Sequence, residues 1–297
     1  MTNMNSIATN SNPGAYGGLE PKFSHYESAR IAILPIPYDG TSTWIKGADK
    51  GPTALLAASA NMELYDIETD SEVYQQGIVT LAPVECPAEP ERMVVAVHKS
   101  AQKVLQDGKF LVGVGGEHSV TVGLVQAVVG KFNNVSVLQL DAHLDLRQEY
   151  EHSRYNHACV MARVQELCPI VQVGIRSMDS SEKIHLDPSR VLFAHQLFDH
   201  PNPSNWINDQ LTENVYLTID LDVFDPAIMP ATGTPEPGGL GWYDVIKIIQ
   251  GVVARKNIVA LDVVELCPNP ANRAPDFLAA KLIYRTLSMI FSKEKNR

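Results

Sequence analysis

The sequence has no Cys-x-x-Cys pair. Its four cysteines, Cys86, Cys159, Cys168 and Cys267, stand far apart, which argues against a zinc ribbon and against a small secreted module knitted by disulfides. Cys267, inside an apolar run, reads as a buried thiol. No apolar run approaches the roughly 20 residues needed to span a bilayer, and the opening MTNMNSIATNSNPGAYGG lacks a basic flank followed by an apolar signal segment. The expectation is a cytoplasmic protein with no membrane partner. Basic charge is short as well, 24 Lys and Arg against 34 Asp and Glu for a net charge of -10. A polyphosphate backbone would meet an unfavourable average field, so no nucleic-acid partner is expected and a small cationic ligand suits the chain better. The glycine-rich turn GVGGEHSV has neither the lysine of a phosphate-binding loop nor the glycine spacing of a dinucleotide site.

What is present is an alternation. Short apolar runs at 31 to 36, 77 to 80, 109 to 116, 135 to 140, 169 to 175, 191 to 194, 215 to 219 and 257 to 266 read as buried strands,. Helical stretches lie between most of them, at 47 to 62, 90 to 107, 117 to 130, 156 to 167, 242 to 255 and 275 to 292. Pro52 sits where a helix starts, a position at which its missing N–H costs nothing. Strand and helix in alternation predict an α/β protein, a three-layer α-β-α sandwich around a mainly parallel sheet. Residues 1 to 30, rich in Asn, Gly, Ser and Pro, form a surface or oligomer-contact segment in this reading, and 31 to 297 a single domain.

The chemistry gathers where those strands end. His118 follows LVGVGG, Asp141, His143 and Asp145 follow VSVLQL at alternating positions, and Asp220 and Asp222 follow VYLTI. In a strand continued in extended form, alternating side chains share one direction, and open α/β sheets hold their ligands at the carboxyl ends of strands. Carboxylates bunched this tightly need compensating positive charge. Hard oxygen donors with two imidazoles suit Mn²⁺ first, with Ni²⁺, Co²⁺ or Zn²⁺ as alternatives, and no cysteine joins the set to select zinc. Two cations sharing carboxylates lower the pKa of water and direct it at an electrophilic carbon or phosphorus. Taken singly, an Asp-rich turn caps a helix and a histidine fills a core contact. Six ionisable residues after otherwise buried strands are harder to explain that way.

Six segments in order, PYDGTSTWIKGADKGP (37 to 52), GGEHSV (115 to 120), DAHLD (141 to 145), GIRS (174 to 177), DLDVFDP (220 to 226) and ALDVVELCP (260 to 268), resemble the ureohydrolase family of arginases and agmatinases. The agmatinase branch is the nearer. The resemblance runs from about residue 31 to 290 and implies an arginase-like fold. It implies two Mn²⁺ per subunit, one held by His118, Asp141, Asp145 and Asp220, the other by Asp141, His143, Asp220 and Asp222, with Asp141 and Asp220 shared. It further implies hydrolysis of a guanidinium group to urea and an amine in a cytoplasmic homo-oligomer, a trimer or hexamer. Asp145 joins the catalytic set, Glu265 matches the carboxylate that grips the guanidinium, and His157 matches the histidine that carries a proton. Here the sequence departs from the pattern, with NHA around His157 where many relatives have SHG, which bears on turn geometry and pocket shape.

The substrate implied is agmatine, cleaved to putrescine and urea in polyamine biosynthesis, with N1-aminopropylagmatine, guanidinobutyrate or another guanidino compound as alternatives. Glu149 or Glu151 is a candidate partner for the far ammonium, Tyr150 for the aliphatic passage, and Asp179 for the amine or simply for a helix cap. Arg147 replaces the asparagine that arginases carry. It pairs with one of these glutamates or receives a substrate carboxylate. Two readings compete with the whole: a dimetal phosphoester hydrolase, which would want a basic clamp beyond Arg147 and Arg176, and a metal-stabilised interaction protein without activity.

Overall fold

The computed structural model describes residues 14 to 197 and 199 to 295. Its centre is a sheet of eight strands among the described residues: β1 (Ile31–Ile36), β2 (Ile78–Thr80), β3 (Phe110–Gly115), β4 (Val135–Leu140), β5 (Ile170–Ile175), β6 (Val191–Phe193), β7 (Asn214–Asp220) and β8 (Asn257–Val264). Their order is β2-β1-β3-β8-β7-β4-β5-β6, and every pairing is parallel. The sheet is therefore wholly parallel, and its strands are apolar on both faces because both faces are covered.

Successive residues of β1 show how. Ile31 and Ile33 enter a core with α1 (Gly51–Ser59), α7 (Trp242–Arg255) and α8 (Ala274–Lys295), whereas Ala32, Leu34 and Ile36 enter the opposite core with α2 (Pro90–Gln106), α3 (Thr121–Val129) and α4 (Val160–Val164). Each helix offers one stripe: Met93, Val94, Val97, Ala101, Val104 and Leu105 of α2, and Val245, Ile246, Ile248, Ile249, Val252 and Val253 of α7, are buried at helical spacing,. Among the described residues no helix is long and apolar enough to cross a membrane.

Strand positions agree with the sequence reading to within about two residues, but three local expectations need correction. The helix expected over 156 to 167 is a 3-10 turn, His157–Cys159, followed by the five-residue α4. The chain is tied there to another loop, since the Asp145 carbonyl accepts from the N–H groups of both Met161 and Ala162. α5 (Ala194–Leu197) and α6 (Pro203–Gln210) were not anticipated; Pro203 starts α6 and the Asn202 side chain accepts from Asn205 N–H, start signals that lie in a polar stretch resembling a loop,. Cys267 is only half-buried, because it lies just past β8 with its Sγ against the Lys46 carbonyl. Of the opening segment, residues 1 to 13 lie outside the described residues. Tyr16 packs fully buried in the α1/α8 core and its hydroxyl donates to the Ala280 carbonyl.

Candidate metal centre and substrate cavity

Strand order brings the motifs together. β1, β3, β8, β7 and β4 are consecutive neighbours across the middle of the sheet, so the segments that leave their carboxyl ends, carrying Thr41, His118, Glu265, Asp220 with Asp222, and Asp141 with Asp145, share one rim despite wide separation in sequence. Glycines let them close up. A Cβ on Gly116 would overlap the Tyr38 backbone, and Gly116 accepts through its carbonyl from Glu265 N–H at 2.8 Å. Gly174, at φ +95°, sits at the irregularity between β5 and β6, where a Cβ would press on the Asp141 carbonyl,.

Two groups of donor atoms result, His118 with Asp141 and Asp145, and Asp141 with His143 and Asp222, each drawn within 4.8 Å. Asp141 belongs to both. The Nδ1 of His118 lies 3.1 Å from Asp141 Oδ2, 3.2 Å from Asp145 Oδ2 and 3.3 Å from Asp220 Oδ2, and His143 Nδ1 lies 2.8 Å from Asp222 Oδ2. Donors bonded to a divalent cation at roughly 2.1 Å stand about 3 Å apart along a coordination edge, which is the spacing found. His118 Nδ1 is buried and has no well-aligned hydrogen-bond partner among these oxygens. From behind, Nε2 meets Thr218 Oγ1 at 3.0 Å. An Nδ1 that ligates a cation presents its lone pair, which leaves the proton on Nε2 for Thr218 Oγ1 to accept.

Electrostatics point the same way. Burial, with Asp222 and Asp145 beside it, pushes Asp141 up to about 7, and burial with Asp222 and Asp141 carries Asp220 well above the usual carboxylate range. Burial works against ionised Asp222 too, but His143 holds it down at about 2. His143, against its own burial, is pushed up to about 11 by Asp222. This much negative charge is more than two imidazoles can balance, and a pair of divalent cations fits the donor set and supplies what is missing.

The alternation expected of Asp141, His143 and Asp145 holds in outcome but not in backbone. β4 stops at Leu140, and Asp145 adopts φ +57°, a left-handed conformation costly for a non-glycine residue,. That twist sends Asp145 to the His118 group while His143 goes to Asp222. Asp222 similarly lies in a 3-10 turn after β7 rather than in an extended strand. Asp220 stands with the His118 group through Oδ2, and its Oδ1 accepts from Asp222 N–H at 2.9 Å.

Above these residues opens a cavity of about 240 Å³ lined by His118, His143, Asp145, Asp220 and Asp222 at its base, with Glu265, His157, Arg147, Tyr150 and Asp179 around it. Glu265 is another left-handed residue, φ +67°, and its Oε1 accepts from His118 N–H at 2.8 Å. Burial, then the neighbouring Glu117 charge, hold its carboxyl well above the usual range. A cation placed beside it would remove that penalty. Asp179 caps the turn Ser180–Ile184 in a capping box with Glu182 and also reaches Arg147, whose Nη2 is 3.5 Å from Asp179 Oδ2 and whose guanidinium lies 4.7 Å from the Tyr150 ring centre.

Two expectations fail here. Glu149 and Glu151 do not line the cavity, because Tyr150 and Ser153 bond each other across a tight turn, Glu151 and His152 take positive φ, and both glutamates point to solvent. Arg147 accordingly pairs with Asp179 and not with a glutamate. Arg176 holds loops together, its guanidinium donating to carbonyls of Gly174, Asp222, Val223, Phe224 and Glu236. Sequence reasoning missed Glu182, which accepts from Leu146 N–H and Asp179 N–H at 2.7 and 2.6 Å and pins the two rim loops. The Asp-Ser-Ser-Glu spacing was a readable capping signal. It also missed Trp44 at the cavity mouth, 76% exposed, for which only its unusual exposure gives a clue.

The sequence model of the Arginase family matches residues 29 to 288. The chain is 39% identical over 276 residues to the N(1)-aminopropylagmatine ureohydrolase of Synechocystis sp., covering 88% of this chain and 89% of that one. It is 32% identical over 266 residues to the agmatinase of Pyrococcus horikoshii, covering 89% and 93%. The crystal structure of the agmatine ureohydrolase of Thermoplasma volcanium superposes with a TM-score of 0.84 at 30% identity, over 99% of this chain and 98% of that one. With an all-parallel sheet, a carboxylate and imidazole rim and matches of this extent, the chain belongs to the arginase family and is a ureohydrolase, an enzyme that hydrolyses an amidine C–N bond.

Proposed function

We propose that the enzyme releases urea from a linear guanidino amine, agmatine being the parent substrate and putrescine the second product, with two Mn²⁺ as its cofactor. The observation that carries the reading is that Glu265 and His157 border one cavity whose floor carries His118, His143, Asp145 and Asp222 of the donor groups. Bound divalent cations would supply Lewis acidity and a nucleophilic water at neutral pH, and oxygen-rich donors favour manganese. His118, Asp141, Asp145 and Asp220 would hold one ion, and His143 and Asp222 with Asp141 the other.

The chain's own side chains account for the rest. Glu265, fixed by His118 N–H, accepts charge-assisted hydrogen bonds from the guanidinium and sets its plane relative to the floor. His157 gives a proton to the departing amine nitrogen, so that the tetrahedral adduct collapses to urea instead of returning. Asp145, in its left-handed turn, keeps its Oδ2 at the floor, 3.2 Å from His118 Nδ1. Asp179 and Tyr150, with Arg147 between them, form the wall along which an aliphatic tail would run.

A second reading, N1-aminopropylagmatine, is favoured by the name of the 39% identical relative, and the exposed Trp44 and Ile45 at the mouth offer apolar surface to a longer tail. Urea release from manganese-reconstituted enzyme, measured as kcat/KM for agmatine, N1-aminopropylagmatine, arginine and guanidinobutyrate, separates the readings. The proposal expects the two amines to exceed arginine and guanidinobutyrate. A preference for either of the latter, or no urea from any, would defeat it.

A further inference from the structure

Thr41 lies outside the donor set and the substrate walls, yet its hydroxyl is used completely. Oγ1 donates to Glu117 Oε1 at 2.8 Å, accepts from the backbone N–H of His157 at 2.9 Å, and lies 3.1 Å from His157 Nδ1. A threonine hydroxyl has one proton and two lone pairs. The proton is committed to Glu117 and one lone pair to the His157 backbone, so the remaining lone pair faces Nδ1. A lone pair on Nδ1 would repel it, whereas an Nδ1–H completes the count. Glu117 is well placed to anchor the chain of bonds: it is fully buried, and its other oxygen accepts from Ser119 N–H at 2.7 Å. The Tyr150 ring stands edge-on to the imidazole from the other side, centroids 6.4 Å apart.

We propose that Thr41 is a positioning residue that locks His157 in the Nδ1–H tautomer, leaving Nε2 as the single atom through which a proton enters and leaves the cavity. The same contact serves neutral and protonated rings, because Nδ1 keeps its proton in both. On donation the Nε2–H bond breaks, a new N–H bond forms on the departing amine, and the ring returns to neutral without rotating. The inference rests on the reading of His157 as proton donor, although the tautomer itself can be observed without any turnover.

On the floor a threonine also meets an imidazole, Thr218 Oγ1 lying 3.0 Å from His118 Nε2, so the two rings are met at opposite nitrogens.

The test is the long-range proton–nitrogen spectrum of the full-length enzyme labelled with ¹⁵N-histidine, the His157 signals being identified by their loss in His157→Asn. The Nδ1–H tautomer is expected in the unaltered enzyme at a pH where the ring is neutral, and also in Thr41→Ser. Thr41→Val should lose that single-tautomer signature and reduce kcat at least about tenfold, within the range general acid catalysis contributes, with KM little changed. Thr41→Ser should recover most of the rate. An Nε2–H tautomer in the unaltered enzyme would overturn the proposal whether or not the valine variant folds, as would Thr41→Val with normal tautomer and kcat, or Thr41→Ser as impaired as Thr41→Val. Full activity in His157→Asn would instead defeat the proton-donor reading, and the spectrum would still decide what Thr41 does to the ring.

Discussion

The floor of the cavity and its wall are built by different means. On the floor, Asp141, Asp220 and Asp222 are almost completely buried, issue directly from sheet strands or the turns that follow them, and accept from backbone N–H groups: Asp141 from His143, Asp220 from Asp222, and Asp222 from Ala142. On the wall, Arg147, Tyr150 and Asp179 sit on loops, partly exposed, and touch mainly one another. In the proposed function, strands and their end turns hold the part that must be exact for bond breaking, and loops the part that would choose among tails. Substitution should therefore damage turnover on the floor and shift preference on the wall.

The sharpest way to break that contrast is Asp141→Asn. It removes charge from the residue common to both donor groups, and losing one partner of a buried charged set costs roughly 3–5 kcal/mol, about two to four orders of magnitude if it falls on manganese affinity. Calorimetric titration with Mn²⁺ would register it, and unaltered affinity would remove Asp141 from the floor. Glu265→Gln should come next. Manganese content stays normal while kcat/KM for the guanidino substrate falls about 10- to 100-fold, the worth of a charged hydrogen bond; equal efficiency would deny Glu265 its grip. On the wall, Arg147→Met frees Asp179 and should raise the agmatine to guanidinobutyrate preference severalfold with kcat for agmatine little changed. The smallest effect belongs to Glu149→Gln, which points to solvent and should alter KM for agmatine by less than about twofold, as surface changes usually do. A large KM change there would mean that the loop turns inward when substrate binds.

The same contrast explains what the sequence revealed. The floor residues follow unmistakable apolar runs, so VSVLQL before Asp141 and VYLTI before Asp220 announced both the strands and the place where ligands gather. Even there, local backbone escaped notice, because the left-handed turns at Asp145 and Glu265 arise from tertiary closure that no residue preference encodes. The wall was mostly illegible. Glu149 and Glu151 have the right charge for an ammonium, but the turn pairing Tyr150 with Ser153 decides which side chains face inward. Arg147 found Asp179, which the strand order brings beside it from a loop 32 positions away, 179 less 147. Thr41 and Glu117, in PYDGTSTWIKGADKGP and GGEHSV, give no sign of their role in sequence, since it lies in a contact between segments that leave neighbouring strands.

In the proposed function this floor binds two cations per chain, and both are needed for urea release. Manganese bound per chain, counted by elemental analysis during stepwise reconstitution of stripped enzyme while urea release from agmatine and N1-aminopropylagmatine is followed on the same samples, tests it most directly. Saturation is expected at two equivalents, with activity toward at least one of the amines appearing as the second site fills. Saturation at one equivalent with full activity, or two tightly bound equivalents with no urea from either amine, would contradict it.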